Sequence, residues 1–325
     1  MDEIHVMQKA KIHTIVGDHS GVAYLLFIYY PNPGGDKSHD KAASSLPLLT
    51  INNVPIHLLE DWNTGIGGGL WSTGLAMAKY FERHSAAISE NLNFLARLKL
   101  SHARTTMQPD QTKKECCGIS AIELGSGNGF LSVCLLAVMA GLERVPLKTL
   151  VITDMADHLH LIRNTFHANS HTCDRMKIVE ASSGCESRDG AQGPEFASMN
   201  VHYASESNQL CQVEVIVAEH VWGSFEQPEE TDLIHEKYDF IFGTDLAYRE
   251  YLYKPLIASL LKFSHAHTLS LIGVTMNDTH PLFFELLTAA GFQYERLADH
   301  LLEGEFQSCG NFGVFAIQKR KSTIK

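Results

Sequence analysis

The strongest constraint on the fold is a glycine loop that joins an apolar strand to an apolar helix. The strand reads ISAIEL, the loop GSGNG occupies residues 125–129, and the helix reads FLSVCLLAVMAG. A helix that is apolar on every side must be buried, and an end at Gly141 is typical of a helix C-terminus. We therefore expect this helix to pack against the sheet that contains the strand.

Short apolar strands alternate with helical segments from residue 119 onward. The strands read LKTLVITD, QVEVIVAE, YDFIFGTD and HTLSLIGVT, and the helical segments include ADHLHLIRNTFHANS and HPLFFELLTAAG. This alternation is typical of βαβ units around a parallel sheet. We predict an α/β fold, a Rossmann-like doubly wound sheet that is mostly parallel and ends in an antiparallel C-terminal hairpin.

The segments outside this pattern suggest how the chain is organised. Residues 1–66 contain strand-like pieces such as KIHTIV and LPLLTI, which predict a β-rich N-terminal extension before a main domain of residues 67–325. The run WNTGIGGG suggests a flexible hinge before the helix LWSTGLAMAKYFERH. Residues 171–211 are polar and irregular, so we interpret them as an insertion loop.

Composition and charge narrow the possible partners. The formal net charge is −11, which disfavours nonspecific binding to nucleic acids or to anionic membranes. The apolar run VAYLLFIYY is shorter than the roughly 20 residues that span a bilayer. The length of 325 residues allows a well-buried core without a partner, so we expect a monomer.

The cysteines and histidines indicate neither a disulfide framework nor a metal site. The seven cysteines include no CxxC pair, which favours a reduced protein of the cytoplasm or the nucleus. The 18 histidines are scattered, and His158 and His160 are two positions apart, so they lie on different faces of a helix. We predict no metal and assign these histidines to solvent or to the core.

The glycine loop can bring backbone N–H groups close to a ligand at the start of a helix. A dinucleotide fingerprint needs G-x-G-x-x-G, and counting from Gly125 and Gly127 its third glycine position is Phe130. This mismatch, with the absence of a Tyr-x-x-x-Lys pair, disfavours an NAD(P)-dependent oxidoreductase. A glycine-rich turn without a ligand is the alternative on the loop alone.

Two acidic residues flank the loop in the predicted sheet. Asp154 ends the next strand, where a carboxylate can accept hydrogen bonds from both hydroxyls of a ribose. Glu123 lies just before the first glycine and could face a cationic group of a ligand. Asp154 could instead cap the following helix, because Asp is a favoured N-cap residue.

The pattern resembles the seven-β-strand S-adenosylmethionine-dependent methyltransferases, on the strength of E-x-G-x-G-x-G followed by an acid on the second strand. Three further motifs are similar to the family 16 protein lysine methyltransferases: GIGGGLWSTGLAMAKYF, VAEHVWG, and YDFIFGTDLAY with its D-x-x-Y at Asp245 to Tyr248. Together these motifs cover residues 50–320. The resemblance implies a seven-stranded sheet and S-adenosylmethionine as cofactor.

The resemblance also implies a role for individual residues of a cofactor site. Trp71 would lie by the methionine end, Asp154 would hold the ribose, Trp222 would pack on the adenine, and Thr244 would line the pocket. The implied site is completed by the loop residues Glu123, Gly125, Ser126, Gly127 and Gly129. Core packing is the alternative for each tryptophan, although an indole suits both an adenine ring and a sulfonium.

The implied substrate is a lysine side chain of a protein, and the implied catalytic residues are Asp245 and Tyr248. Asp245 would orient the amine or accept a hydrogen bond from it rather than remove its proton, since a nearby carboxylate raises the pKa of an amine. Asp245 could also be the N-cap of the helix AYREYLYKPLIASLL. The basic residue that members often carry near Met276-Asn277 is absent. A scaffold that binds the cofactor without catalysis is the other alternative.

Overall fold

The computed structural model describes residues 48–106, 118–142, 145–170, 176–180, 197–203, 211–224, 237–307 and 311–320. All of them belong to one unit, residues 43–325. Most of the predicted N-terminal extension, residues 1–47, lies outside the described residues.

The described residues form strands and helices in the following order. The first elements are β1 (Leu49–Ile51), β2 (Val54–Ile56), α1 (Ser72–Arg83), α2 (Ser85–Thr106), β3 (Ile119–Leu124), α3 (Phe130–Ala140), β4 (Leu147–Asp154), α4 (Leu159–Ala168), β5 (Met176–Glu180), β6 (Ala197–Tyr203) and β7 (Cys211–Glu219). The remaining elements are β8 (Tyr238–Thr244), α5 (Glu250–Phe263), β9 (Ser264–Thr275), α6 (Leu282–Ala289), β10 (Phe292–Arg296), α7 (Gly304–Gln307) and β11 (Phe312–Lys319).

A single large sheet organises the molecule. Its strand order is β10-β11-β9-β8-β3-β4-β7-β6-β5. The five central strands, β9, β8, β3, β4 and β7, are parallel to one another, while β10 and β11 form an antiparallel hairpin at one edge. The predicted Rossmann-like α/β fold and its C-terminal hairpin are therefore confirmed.

The sheet has nine strands instead of seven because residues 171–211 contribute two of them. β6 pairs antiparallel with β7, and β5 pairs antiparallel with β6. In β6 the side chains of Met199, Val201 and Tyr203 are buried and alternate with polar residues, which is the pattern of a strand with one covered face. The prediction of an insertion loop is wrong for these strands, while residues 181–196 and 204–210 lie outside the described residues.

The N-terminal hairpin β1–β2 packs onto α3. Its turn residues Asn52 and Asn53 both have positive φ, 48° and 65°, as a two-residue hairpin turn of type I′ requires. The Asn52 side-chain amide donates to the Val138 carbonyl at 3.2 Å and so joins the turn to α3. Two of the strands predicted in the extension are present in this hairpin.

Two apolar layers cover the faces of the sheet. One layer includes α1, α2 and α3, and the other includes α5 and α6. Residues 130–139 of α3 are all buried, as the continuous apolar run predicts. Burial of a side chain such as Phe242, which contacts Phe81 edge to face, contributes about 2 kcal/mol. These layers bury both faces of the sheet. The register of the parallel strands brings their C-terminal ends to one edge.

Candidate cofactor and substrate site

The C-terminal ends of the parallel strands bring the predicted site residues to one edge of the sheet. Leu124 at the end of β3 is in register with Thr153 of β4, and Asp154 is in register with Glu219 of β7. Ligands of open α/β sheets bind at this edge, where the loops after neighbouring strands face each other. The loops after β3, β4, β7 and β8 carry most of the predicted residues.

The first glycine of the loop, Gly125, lies next to Trp222, the tryptophan that is predicted to pack on the adenine. Gly125 has φ 60°, in the left-handed region, and a Cβ added there would lie 2.8 Å from the Trp222 ring and 2.7 Å from Leu246. Only glycine fits this backbone and this contact. Trp222 itself is half-buried and lies against the loop.

Contacts with Ser259 of α5 hold the loop that carries Trp222. The Ser259 hydroxyl of α5 lies 2.9 Å from Nε2 of His220 and accepts the Gly223 N–H at 3.1 Å. Burial lowers the pKa of His220 to about 4, so this imidazole is neutral at pH 7. A neutral, hydrogen-bonded histidine therefore supports the turn on which Trp222 stands.

The second glycine of the loop approaches the glycine run before α1. Gly127 has φ 61°, and a Cβ added there would lie 2.5 Å from the Gly67 carbonyl oxygen. Its N–H donates to Oδ2 of Asp154 at 2.6 Å. The next glycine, Gly129, has φ 82° and caps α3. The three glycines thus let the loop fold tightly between Asp154, α3 and residues 65–69.

Asp154 contacts the loop and does not cap a helix. Its Oδ1 accepts the Met155 N–H at 2.7 Å while its Oδ2 accepts the N–H of Gly127. The N-cap of the following 3-10 turn, Ala156–His158, is Met155, and that turn has no side-chain cap. The helix-cap alternative for Asp154 is therefore wrong, because the carboxylate points at the glycine loop.

Glu123 lies beneath the loop. Its side chain accepts the hydroxyl of Ser126 at 3.1 Å and also the hydroxyl of Ser132 in α3, and the residue is 2% exposed. Burial raises the pKa of Glu123 to about 8, so this carboxyl is largely protonated at pH 7. The carboxyl ties the loop to α3, and contact with the cofactor stays a prediction.

Trp71, the residue immediately before α1, is partly exposed to solvent. Trp71 is the N-cap residue of α1, is 43% exposed, and contacts Trp62 edge to face at 6.5 Å between ring centroids. Thr244 at the end of β8 is half-buried, and its hydroxyl would lie 3.6 Å from a Cβ at Gly74 of α1. The start of α1 therefore lies beside the end of β8.

Asp245 follows β8 in an unusual backbone conformation. Its φ is 55°, in the left-handed region, and its N–H donates to the Gly273 carbonyl of β9 at 2.9 Å. The Thr275 hydroxyl donates to its Oδ1 at 2.9 Å. Helix α5 begins at Glu250 with Arg249 as N-cap, so the interpretation of Asp245 as the helix N-cap is wrong.

The second carboxyl oxygen of Asp245, Oδ2, has different surroundings from the first. Oδ2 is buried and makes no hydrogen bond with the residues that the structure describes. Burial raises the pKa of Asp245 to about 6, and the nearby charge of Asp278 adds to the shift. Tyr248 lies on the same side: it is 37% exposed, and burial and the charges of Tyr251 and Asp154 raise its pKa. This end of the site offers an acceptor that the described residues leave without a hydrogen bond.

The close packing of the glycine run at residues 67–69 was not predicted from the sequence. A Cβ added at Gly68 would collide with the Asp61 carbonyl, and one added at Gly69 would collide with the Trp62 ring. The glycine run interpreted as a hinge is therefore closely packed. Three glycines in succession were the available signal, because each removes a Cβ from a crowded position.

Two properties of the described residues bear on membranes and metals as partners. Among the helices in the described ranges, none has the length and apolar character needed to cross a membrane. In the same residues, no three His, Cys, Asp or Glu side chains are grouped as a metal ion would require.

Comparison with known families gives one match. Residues 50–183 match the model of a family described as lysine methyltransferase, which confirms the resemblance seen in the motifs. The matched range includes Trp71, Glu123, the glycine loop and Asp154, and it ends before Trp222 and Asp245. A search of curated proteins finds no match.

Several solved methyltransferase structures are similar to the chain. The ribosomal protein L11 methylase of Lactobacillus delbrueckii subsp. bulgaricus is 12% identical, with a TM-score of 0.36 over 71% of this chain and 79% of that one. The precorrin-6y C5,15-methyltransferase of Geobacter metallireducens is 11% identical, with a TM-score of 0.35 over 63% and 81%. Human N-acetylserotonin methyltransferase, solved with S-adenosylmethionine, is 10% identical, with a TM-score of 0.33 over 62% and 48%. The chain spans about half the length of that human enzyme.

The family match also confirms S-adenosylmethionine as the cofactor, and the geometry of the edge fits it. Every second residue of the loop is a glycine without a Cβ atom, the Asp154 carboxylate accepts an N–H of that loop, and the Trp222 indole lies beside Gly125. An aromatic face suits an adenine ring, and a carboxylate can accept hydrogen bonds from ribose hydroxyls. Exposed backbone N–H groups suit the carboxylate of an amino-acid end.

Proposed function

We propose that this chain, an S-adenosylmethionine-dependent methyltransferase by its family match, transfers methyl groups to the side-chain amine of a lysine in a protein substrate. The description of the matched family as lysine methyltransferase supports the choice of amine. The observation that carries the proposal is the buried, unpartnered Oδ2 of Asp245 at the same edge of the sheet as the glycine loop. A buried acceptor without a partner is costly, and a substrate amine would satisfy it.

The proposed cofactor contacts follow from the positions of the side chains. Asp154 would accept the ribose hydroxyls, Trp222 would pack on the adenine, and Trp71 would border the methionine end. Thr244 would line the wall between the cofactor and Asp245. The loop residues proposed to complete the site are Glu123, Gly125, Ser126, Gly127 and Gly129.

The proposed chemistry is an in-line displacement that depends on positioning. Bound S-adenosylmethionine supplies an electrophilic methyl group on a sulfonium, so the protein must present a neutral amine in line with it and exclude water. A free lysine has a pKa of about 10.4, and its amine loses its proton to solvent before the transfer. The apolar surroundings that raise the pKa of Asp245 also favour the neutral amine.

Asp245 would orient that amine rather than deprotonate it. With a pKa of about 6, the carboxyl is largely ionised at pH 7 to 8 and can accept an N–H through Oδ2. An acid of this pKa is too weak a base to remove the proton of a lysine ammonium efficiently. The partly exposed Tyr248 would supply an aromatic surface and a hydroxyl beside the substrate lysine.

Methyl transfer from radiolabelled cofactor into a cell lysate tests this function. We expect wild-type protein to label a discrete protein band and Asp245→Asn to lose the label. The matched control is Asp278→Asn, which removes an exposed acid close to Asp245 and should keep the label. The proposal fails if wild type and Asp245→Asn label equally. Cofactor binding by calorimetry without transfer to any protein would instead support the non-catalytic scaffold.

The proposal includes the setting in which the protein works. The partner is a protein substrate, and the negative net charge supports an enzyme that acts on protein rather than on nucleic acid. The cysteine pattern supports a location in the cytoplasm or the nucleus, and the size of the core supports a monomer.

A further inference from the structure

His158 is a buried histidine that neither the family pattern nor the proposed function uses. It ends the 3-10 turn Ala156–His158, four residues after Asp154, and is 4% exposed. The neighbouring His160 is exposed. Burying an imidazole costs free energy unless its polar atoms are paired, so this burial calls for a reason.

One side of the His158 ring faces two carboxylates. Its Nδ1 lies 3.2 Å from Oδ1 of Asp154 and 3.0 Å from Oδ1 of Asp157. Pairing with Asp154 raises the pKa of His158, while burial of the ring opposes the shift. Asp157 is mostly exposed, whereas Asp154 is nearly buried, so the pair with Asp154 is the less screened of the two.

The other side of the ring faces the glycine run before α1. A Cβ added at Gly67 would lie 2.6 Å from Nε2 of His158, so glycine at this position makes room for the ring. The Gly67 carbonyl in turn lies against Gly127, and the Gly127 N–H donates to Asp154. Asp154, His158, Gly67 and Gly127 therefore form a closed ring of four contacts.

We propose that His158 is a positioning residue for the cofactor, which holds the Asp154 carboxylate against the glycine loop in the orientation that receives the ribose. This inference rests on the proposed role of Asp154. These contacts explain how a single orientation is kept: Oδ2 accepts the Gly127 N–H, while Oδ1 accepts the Met155 N–H and lies 3.2 Å from Nδ1 of His158. Gly67 completes this set of contacts because it lies against the imidazole, so the segment before α1 is linked to the acid at the end of β4.

Calorimetric titration with S-adenosylhomocysteine tests the inference on the full chain. We expect His158→Gln to weaken binding about tenfold, because the nearly buried Asp154 carboxylate loses the charge of an imidazole 3.2 Å away. His160→Gln is the matched control and should bind as wild type does. Because His158 would act through Asp154, the variant that combines His158→Gln with Asp154→Asn should bind no more weakly than Asp154→Asn alone.

A second measurement keeps the inference testable if His158→Gln does not fold. The pKa of His158 can be followed by NMR in wild type and in Asp154→Asn, and we expect it to fall in the variant. An unchanged pKa would overturn the inference, as would wild-type affinity in a folded His158→Gln variant. The proposed function fails separately: if Asp154→Asn binds as tightly as wild type, the ribose role of Asp154 is wrong.

Discussion

The two halves of the candidate site treat their buried acids in opposite ways. Around the glycine loop, Glu123 is bonded to Ser126 and Ser132, and Asp154 is bonded to backbone N–H groups. At the end of β8, Asp245 has a left-handed backbone and a buried oxygen without a partner among the described residues. The half around the glycine loop, proposed to hold the cofactor (the cofactor half), thus pairs its acids within the protein. The half at the end of β8, proposed to hold the substrate (the substrate half), leaves one carboxyl oxygen unpaired among the described residues.

This difference indicates where selection for function outweighs selection for stability. A left-handed Asp costs about 1 kcal/mol, and a buried unpaired acceptor costs about 1 to 3 kcal/mol more. Strained residues and unpaired polar atoms persist at sites whose ligands compensate for them. The cofactor half instead holds its shape by hydrogen bonds and close glycine contacts, which fits a site that is formed before its ligand arrives.

We expect the largest effect from a substitution at Gly127, in the cofactor half of the site. Gly127→Ala places a Cβ at 2.5 Å from the Gly67 carbonyl at φ 61°, so we expect a loss of about 3 kcal/mol of stability and much weaker cofactor binding. Gly291→Ala is the matched control, because Gly291 has φ 89° but nothing within 4 Å of the added Cβ. It should lose only about 1 kcal/mol. Equal losses in urea unfolding would show that close packing at Gly127 is unimportant.

The next effect concerns the stability of the substrate half. The pKa of Asp245 is about 6 in the folded protein and near 3.8 when unfolded, so the folded state keeps its proton to higher pH and wild-type stability falls as pH rises from 4 to 6. Asp245→Asn does not titrate. We expect the variant to gain about 2 kcal/mol relative to wild type between pH 4 and pH 8. A pH-independent difference between the two unfolding free energies would contradict the raised pKa.

A smaller effect lies in the pH dependence of methyl transfer. In the proposed mechanism the ionised form of Asp245 accepts the amine. Below about pH 6 we therefore expect the wild-type rate to lose a further factor of ten per pH unit beyond the loss due to the lysine itself. Single-turnover rates measured from pH 5 to pH 8 check this. A profile without a change of slope near pH 6 would show that Asp245 ionisation plays no part.

The smallest effect is expected at Glu123. Its pKa of about 8 means that the carboxyl is already neutral at pH 7, so Glu123→Gln should change cofactor affinity less than about threefold there. The comparison between the halves predicts this tolerance, since the glutamine can still accept from Ser126 and Ser132. A tenfold loss of affinity by calorimetry would mean that a charged Glu123 faces the cofactor.

The sequence predicts the framework of the fold and the cofactor half best. The strand, loop and helix of residues 119–140 and the acid at Asp154 are local patterns whose geometry is fixed by neighbouring residues, and the structure places them together. Strands β5 and β6 were missed because their alternation is short and flanked by polar residues. Their burial depends on pairing with β7, which a local pattern does not reveal.

The rest of the site depends on contacts between distant segments. His158 and Gly67 are far apart in the chain, so the spacing of His158 and His160 alone suggested solvent or core roles. Asp245 has the sequence context of a helix cap, and only the left-handed backbone and the start of α5 at Glu250 exclude that role. The unpartnered oxygen is a property of the packed structure, and no residue pattern encodes it.

The most direct test of the central claim is to map the transferred methyl group by mass spectrometry. The labelled band is isolated after reaction with S-adenosylmethionine that carries an isotopically heavy methyl group, and its peptides are sequenced. We expect heavy methyl groups on the side-chain nitrogen of a lysine, present with wild-type protein and absent with Asp245→Asn. Methylation of another residue type, or the same lysine signal from Asp245→Asn, would contradict it.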